Sequence, residues 1–147
     1  MPFYSNPASV CLPNNKSALN HAEFVDTAIL DLLAKGLVEE TPDAPFVVNP
    51  LTVSVQSNGK KQLILDLREI NKHLYKQSVK FEDMRTAKLY INSKSYLFKY
   101  DVHSAYHHVD IFHLHTKYLG FSWQFNGIKK FFKFLVLPFE YCLLYFY

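Results

Sequence analysis

The stretch Tyr96-Leu-Phe-Lys-Tyr-Asp101-Val-His-Ser-Ala-Tyr106-His-His-Val-Asp-Ile111 carries most of what this chain says about itself. An apolar, aromatic run ends on a single carboxylate, Asp101. Tyr106 follows five residues later, with the small residues Ser104 and Ala105 between them. A carboxylate at the exit of a strand can hold a divalent cation, because a hard ion selects charged oxygen. Small neighbours let a ligand approach the backbone, and an aromatic ring can wall the resulting pocket.

Upstream, Ser57-Asn58-Gly59 separates two β-prone runs, Leu51–Val55 and Gln62–Asp66, and is a strong hairpin signal. Lys60 and Lys61 sit beside its tip, and Arg68 follows the return strand in Leu65-Asp66-Leu67-Arg68-Glu69-Ile70-Asn71. A basic hairpin followed by an Arg suits a phosphate clamp, since guanidinium offers a fixed fork of donors and ammonium a point charge. The bland alternative is a solvated hairpin tip, for which two lysines are ordinary.

The hairpin and the 96–111 window together resemble the fingers hairpin and motif A of reverse transcriptases. The aromatic run Phe131–Phe139 resembles the approach to that family's motif B. The family continues there with Gly and a small-residue helix, whereas position 140 is Glu and residues 140–147 match nothing in the family. The resemblance is closest to retrotransposon enzymes of the DIRS-like type, with Ty3-like elements next. It implies an α+β fold: fingers plus the first palm strand and helix over residues 1–139, with an unrelated aromatic tail at 140–147.

The resemblance also implies roles. Asp101 would be the first catalytic carboxylate and, with the backbone carbonyl of Val102, a ligand of Mg²⁺. Amides around Ser104 and Ala105 would meet a triphosphate, and Tyr106 would screen the sugar. Lys60, Lys61 and Arg68 would contact phosphates, and Phe139 would complete the nucleotide-binding set. Partners of the intact family are an RNA/DNA primer–template and dNTP. Two departures matter. Gln62 stands where the family usually has Arg. No two aspartates are adjacent anywhere in the chain, so the Tyr-x-Asp-Asp carboxylates are missing. The expectation is therefore a fragment of an RNA-directed DNA polymerase, inactive alone, that does not bind Mg²⁺ productively. The abrupt change after Phe139 suggests a frameshift, a misjudged exon or a decayed copy. The alternatives are a nucleic-acid-binding remnant and an interaction module acting through the aromatic tail.

Composition agrees with one packed domain: 147 residues, 49% hydrophobic, thirteen Phe, ten Tyr and one Trp. The net charge of +3 is unevenly spread. Residues 60–99 carry ten Lys/Arg against four acids, residues 1–59 two Lys against six acids. Such a basic segment can face phosphates, but from the charge alone an ordinary solvated surface is the preferred reading. Cys11 and Cys142 are too few for a disulfide framework and read as free thiols. The N-terminus lacks the basic and apolar regions of a signal peptide. The longest apolar window, Phe134–Tyr147, falls short of the roughly 20 residues a spanning helix needs. An intracellular location without a membrane is expected. Exposed apolar surface is expected to promote self-association.

Five of the seven histidines, His103, His107, His108, His113 and His115, cluster within thirteen positions. Their spacing admits zinc, but no Cys lies nearby, and surface or helix-edge histidines are the preferred reading. Elsewhere, Asn20 with Glu23 predicts a capping box. The stripe Phe24, Val25, Ala28, Ile29, Leu32 and Leu33 predicts a helix ending at Gly36. Further helical turns are expected at Arg68–Lys72, Glu82–Ile91 and His113–Tyr118. Strands are expected at Phe46–Val48, Ser95–Tyr100, Leu119–Phe125 and Lys130–Leu137, the last two joined by Asn126-Gly127. Residues 1–19 are expected to be irregular.

Overall fold

The structure, a computed structural model, describes residues 1, 3–75, 83–92, 94–96, 98–99, 102 and 105–138. Strands β1 (Val10–Cys11), β2 (Val38–Thr41), β3 (Val47–Asn49), β4 (Leu51–Val55), β5 (Lys61–Leu65), β6 (Gly120–Phe125) and β7 (Ile128–Phe134) build two sheets. Helices are α1 (Lys16–Leu19), α2 (Ala22–Ala34), α3 (Arg68–Asn71) and α4 (Met84–Tyr90), with 3₁₀ turns at Ala105–His108 and His113–Tyr118. The larger sheet has the order β1-β3-β6-β7-β2, with β1–β3 and β3–β6 parallel and the other pairs antiparallel. β4 and β5 form a separate hairpin.

Both hairpins follow from their turns. Asn126 and Gly127 adopt φ of 49° and 82°. Positive φ at both central residues is the twist that antiparallel strands need, and Asn-Gly reaches it with little strain. Phe121 then pairs with Phe132, and their rings stack with centroids 5.1 Å apart, both side chains fully buried. The Asn58-Gly59 tip holds Leu51 opposite Leu65 and Val53 opposite Leu63.

The stripe on α2 is as expected. Val25 and Ile29 are fully buried, and Phe24, Leu32 and Leu33 pack at the margin of the core. Gly36, at φ 68°, ends the helix in a Schellman motif: its N–H donates to the Leu33 carbonyl and that of Leu37 to Leu32, both at 3.0 Å. The start differs from expectation. Asn20 terminates α1, donating its backbone N–H to the Lys16 carbonyl at 2.9 Å, and α2 begins after His21 with no side-chain cap. The reason is tertiary. Buried Ala18 and the Ser17 hydroxyl, which accepts from the Val53 N–H at 3.2 Å, dock α1 onto β4. Residues 1–19 thus contain β1 and α1 as well as irregular chain.

β2 was not expected either. Its side chains Glu39 and Glu40 reach Lys133 and Lys130 on β7 at 2.7 and 2.9 Å, pairs made only once the strands meet. The segment expected as a strand at Ser95–Tyr100 is not one at its described residues, Ser95, Tyr96, Phe98 and Lys99. Tyr96 and Phe98 are 101% and 87% exposed. β-propensity expresses packing against neighbouring strands more than a preference of the backbone itself. In α4, Asp83 caps the helix by accepting from the N–H of Arg85 and Thr86, while Met84 and Ile91 are exposed.

Candidate nucleotide-binding cleft

The sequence windows of interest lie far apart along the chain and are drawn together by backbone pairing. Ile111 donates its N–H to the Leu135 carbonyl and Leu137 to the Val109 carbonyl, each at 2.8 Å, and Asp110 bridges Val136. This short antiparallel contact seats the Ala105–His108 turn beside the end of β7. The hairpin β4–β5 closes from the other side, with α2 packed against β5.

The result is a cleft of about 240 Å³. β5 supplies Gln62, Leu63 and Leu65, and the 3₁₀ turn supplies Tyr106 and His107. β7 and its continuation give Phe134 and Pro138, α2 gives Ala28, Asp31 and Leu32, and Leu51 completes the wall. Two larger hollows lie near Trp123 and near Lys117; of the windows that the sequence singled out, only Phe131–Phe139 reaches them, through Lys133 in the second hollow.

Tyr106 is half-buried against the core and, among the described members of the expected nucleotide set, is the one that lines the cleft. Lys60 and Lys61 lie at the exposed hairpin tip, where the Lys61 ammonium is 6.0 Å from the centre of the Phe24 ring. Arg68 points its fork at Asp66. Its Nε donates at 2.9 and 3.1 Å and its Nη2 at 2.6 Å to the two carboxylate oxygens. Asp66 also accepts from the Arg68 backbone N–H at 3.2 Å and from Asn15 Nδ2 at 3.3 Å. The Arg68 side-chain hydrogen bonds hold the Asp66 carboxyl below its ordinary range against the opposing effect of burial. Lys60, Lys61 and Arg68 are outside the cleft wall. Ala105 and Val102 are exposed. Asp101, Ser104, Phe139 and the tail 140–147 lie outside the described residues.

Asp31 is the cleft residue that the sequence did not single out. It sits on the polar edge of the α2 stripe and pairs with Lys35 at 2.6 Å, an ordinary i,i+4 surface pair that carries no signal of a site. His107 enters from the histidine cluster. Of the others, His115 joins an aromatic group with Phe3, Phe112 and Tyr118. Its pKa is pushed down by burial first, then by the nearby chain amine and Lys117. Among the described residues no three His, Cys, Asp or Glu side chains are grouped to hold a metal. No helix among them is long and apolar enough to cross a membrane.

No protein-family model matches this sequence, and no curated protein does. Solved structures do. The native protease-reverse transcriptase of prototype foamy virus superposes with a TM-score of 0.60 at 21% identity, covering 96% of this chain and 18% of that one. Its CSH mutant gives 0.61 at 22% identity, covering 95% and 18%. The chain thus spans less than a fifth of the length of the structures it matches, and its α+β fold is that of part of a reverse transcriptase.

Proposed function

We propose that residues 1–139 are the fingers and first-palm portion of a retrotransposon RNA-directed DNA polymerase, DIRS-like or Ty3-like, followed by an unrelated aromatic tail, and that the isolated chain has no polymerase activity. The observation that carries this is the convergence of Gln62, Tyr106 and Pro138 on one cleft. Those residues come from the three windows that resemble the fingers hairpin, motif A and the approach to motif B. The partners of the intact enzyme would be primer–template and dNTP.

Mg²⁺ suits the oxygen donors in question, the Asp101 carboxylate and the Val102 carbonyl. When bound in pairs, such ions neutralise charge on the attacking and leaving oxygens of phosphoryl transfer. One carboxylate cannot hold such a pair, and the chain has no Tyr-x-Asp-Asp to supply the others. The remaining side chains would position ligand: Tyr106 against a sugar, Gln62 along the hairpin wall.

The rival reading as a nucleic-acid-binding remnant draws less support. Arg68, Lys72 and Arg85 of the basic segment are paired with Asp66, Glu69 and Asp83. Primer extension with the purified chain, all four nucleotides and Mg²⁺ or Mn²⁺ tests the proposal. No extension is expected. Extension abolished by Asp101→Ala would show a complete active site and overturn the inactivity.

A further inference from the structure

We infer that the Gln62–Tyr106–Pro138 cleft takes an uncharged nucleoside and discriminates against its triphosphate. This rests on the polymerase-derived reading above and specifies the ligand of that site. Three observations support it.

The first is charge. Among the described lining residues there is no Lys or Arg, and the ionised group on the rim is the carboxylate of Asp31. Lys35 neutralises that carboxylate at 2.6 Å rather than facing a ligand. The basic residues closest in sequence are engaged elsewhere: Arg68 on Asp66, and Lys61 over Phe24. A triphosphate entering here exchanges its hydration for walls that offer no fixed cation, and desolvating charge without a partner is costly.

The second is surface chemistry. Leu32, Leu51, Leu63, Leu65, Phe134 and Pro138 make the walls apolar, which favours a base and the carbon face of a ribose. The third is size and polarity. About 240 Å³ lies below the ~300–1,000 Å³ usual for drug-sized ligands. The Gln62 amide offers both a donor and an acceptor to a base edge or sugar hydroxyl. Tyr106 adds an aromatic side chain to the wall. The site has the position of a nucleotide pocket without its phosphate electrostatics.

The 147-residue chain would be titrated calorimetrically with deoxyadenosine, deoxyguanosine, deoxycytidine and thymidine. The matching deoxynucleoside triphosphates would follow with Mg²⁺, at pH 8, where an ordinary imidazole is neutral. At least one nucleoside should bind more tightly than its triphosphate. Gln62→Arg, on a half-buried position at the cleft wall, should shift the ratio toward triphosphate by roughly 10- to 150-fold, the worth of one charge-assisted contact. Circular dichroism melts would confirm that the variant folds. Every triphosphate binding as tightly as its nucleoside or more so, or a ratio unmoved in folded Gln62→Arg, overturns the inference and leaves the polymerase-derived reading standing. Binding of neither ligand class overturns the inference and removes the support that the cleft gives to that reading.

Discussion

Removing the Asp66 carboxylate should loosen the junction between the β4–β5 hairpin and the rest of the chain. Asp66 is 8% exposed. Its carboxylate gathers the Arg68 fork, the Arg68 backbone N–H and Asn15, while its own N–H donates to the Pro50 carbonyl at 2.8 Å. Hydrogen bonds to a charged group contribute about 1.5–3 kcal/mol. Arg68 has an 83% exposed side chain, so it regains water when its partner is lost, and solvent screening reduces the ion-pair share. Asp66→Ala should therefore cost about 2 kcal/mol at pH 7, a melting shift of roughly 4–8 °C for a chain of this size. The pH dependence supplies a second check. The folded-state pKa lies below the ordinary value of 3.8, so the unfolded chain takes up the proton first as pH falls. The stabilisation is complete above the unfolded pKa and is lost as pH falls through the folded one. Urea unfolding of parent and variant at pH 7, 5, 4 and 3 should show a difference that holds to pH 5 and shrinks below pH 4. A difference under 0.5 kcal/mol at pH 7 by the same hydrogen-bond scale, or one that stays constant to pH 3, would refute the reasoning.

Gly120→Ala should be among the most damaging small substitutions, because an added Cβ would lie 2.4 Å from the Pro45 ring and 2.6 Å from the Val47 carbonyl oxygen. Separating β3 from β6 should cost about 1–3 kcal/mol or more, read as a lowered urea midpoint. Phe132→Ala empties a fully buried site stacked on Phe121 and should cost about 3–5 kcal/mol; a loss under 1 kcal/mol on that scale would contradict the core described here. The isolated chain should self-associate, since Met84, Leu89, Tyr90, Tyr96 and Phe98 are each more than 70% exposed and large apolar patches favour association. Light scattering that reports a monomer across tens of micromolar would count against this.

Sequence by itself determined the parts of this protein whose geometry is local. Asn126-Gly127 encodes its turn in two successive positive φ angles, and Gly59 supplies the single positive φ that closes the other tip, so both hairpins and the Leu51–Val55 strand were legible. The Phe24–Leu33 stripe and Gly36 fixed the main helix in the same way, through period and cap. The windows at 62–68, 101–106 and 131–139 stood out only through their resemblance to reverse transcriptases, and Gln62, Tyr106 and Pro138 from them line one cleft. Tertiary structure alone decided that Val38–Thr41 is a strand. Two adjacent glutamates look like loop until Lys130 and Lys133 arrive some ninety residues later. It also decided that Asn20 closes α1 instead of opening α2, because Ala18 and Ser17 find their partners on β4. The composition of the cleft was likewise invisible along the chain. Asp31 enters it from a helix and Pro138 from beyond β7, while Arg68 turns to Asp66. Each of these depends on pairing between distant segments, whose energy arises only when the chain has closed and which leaves no periodic trace in either partner.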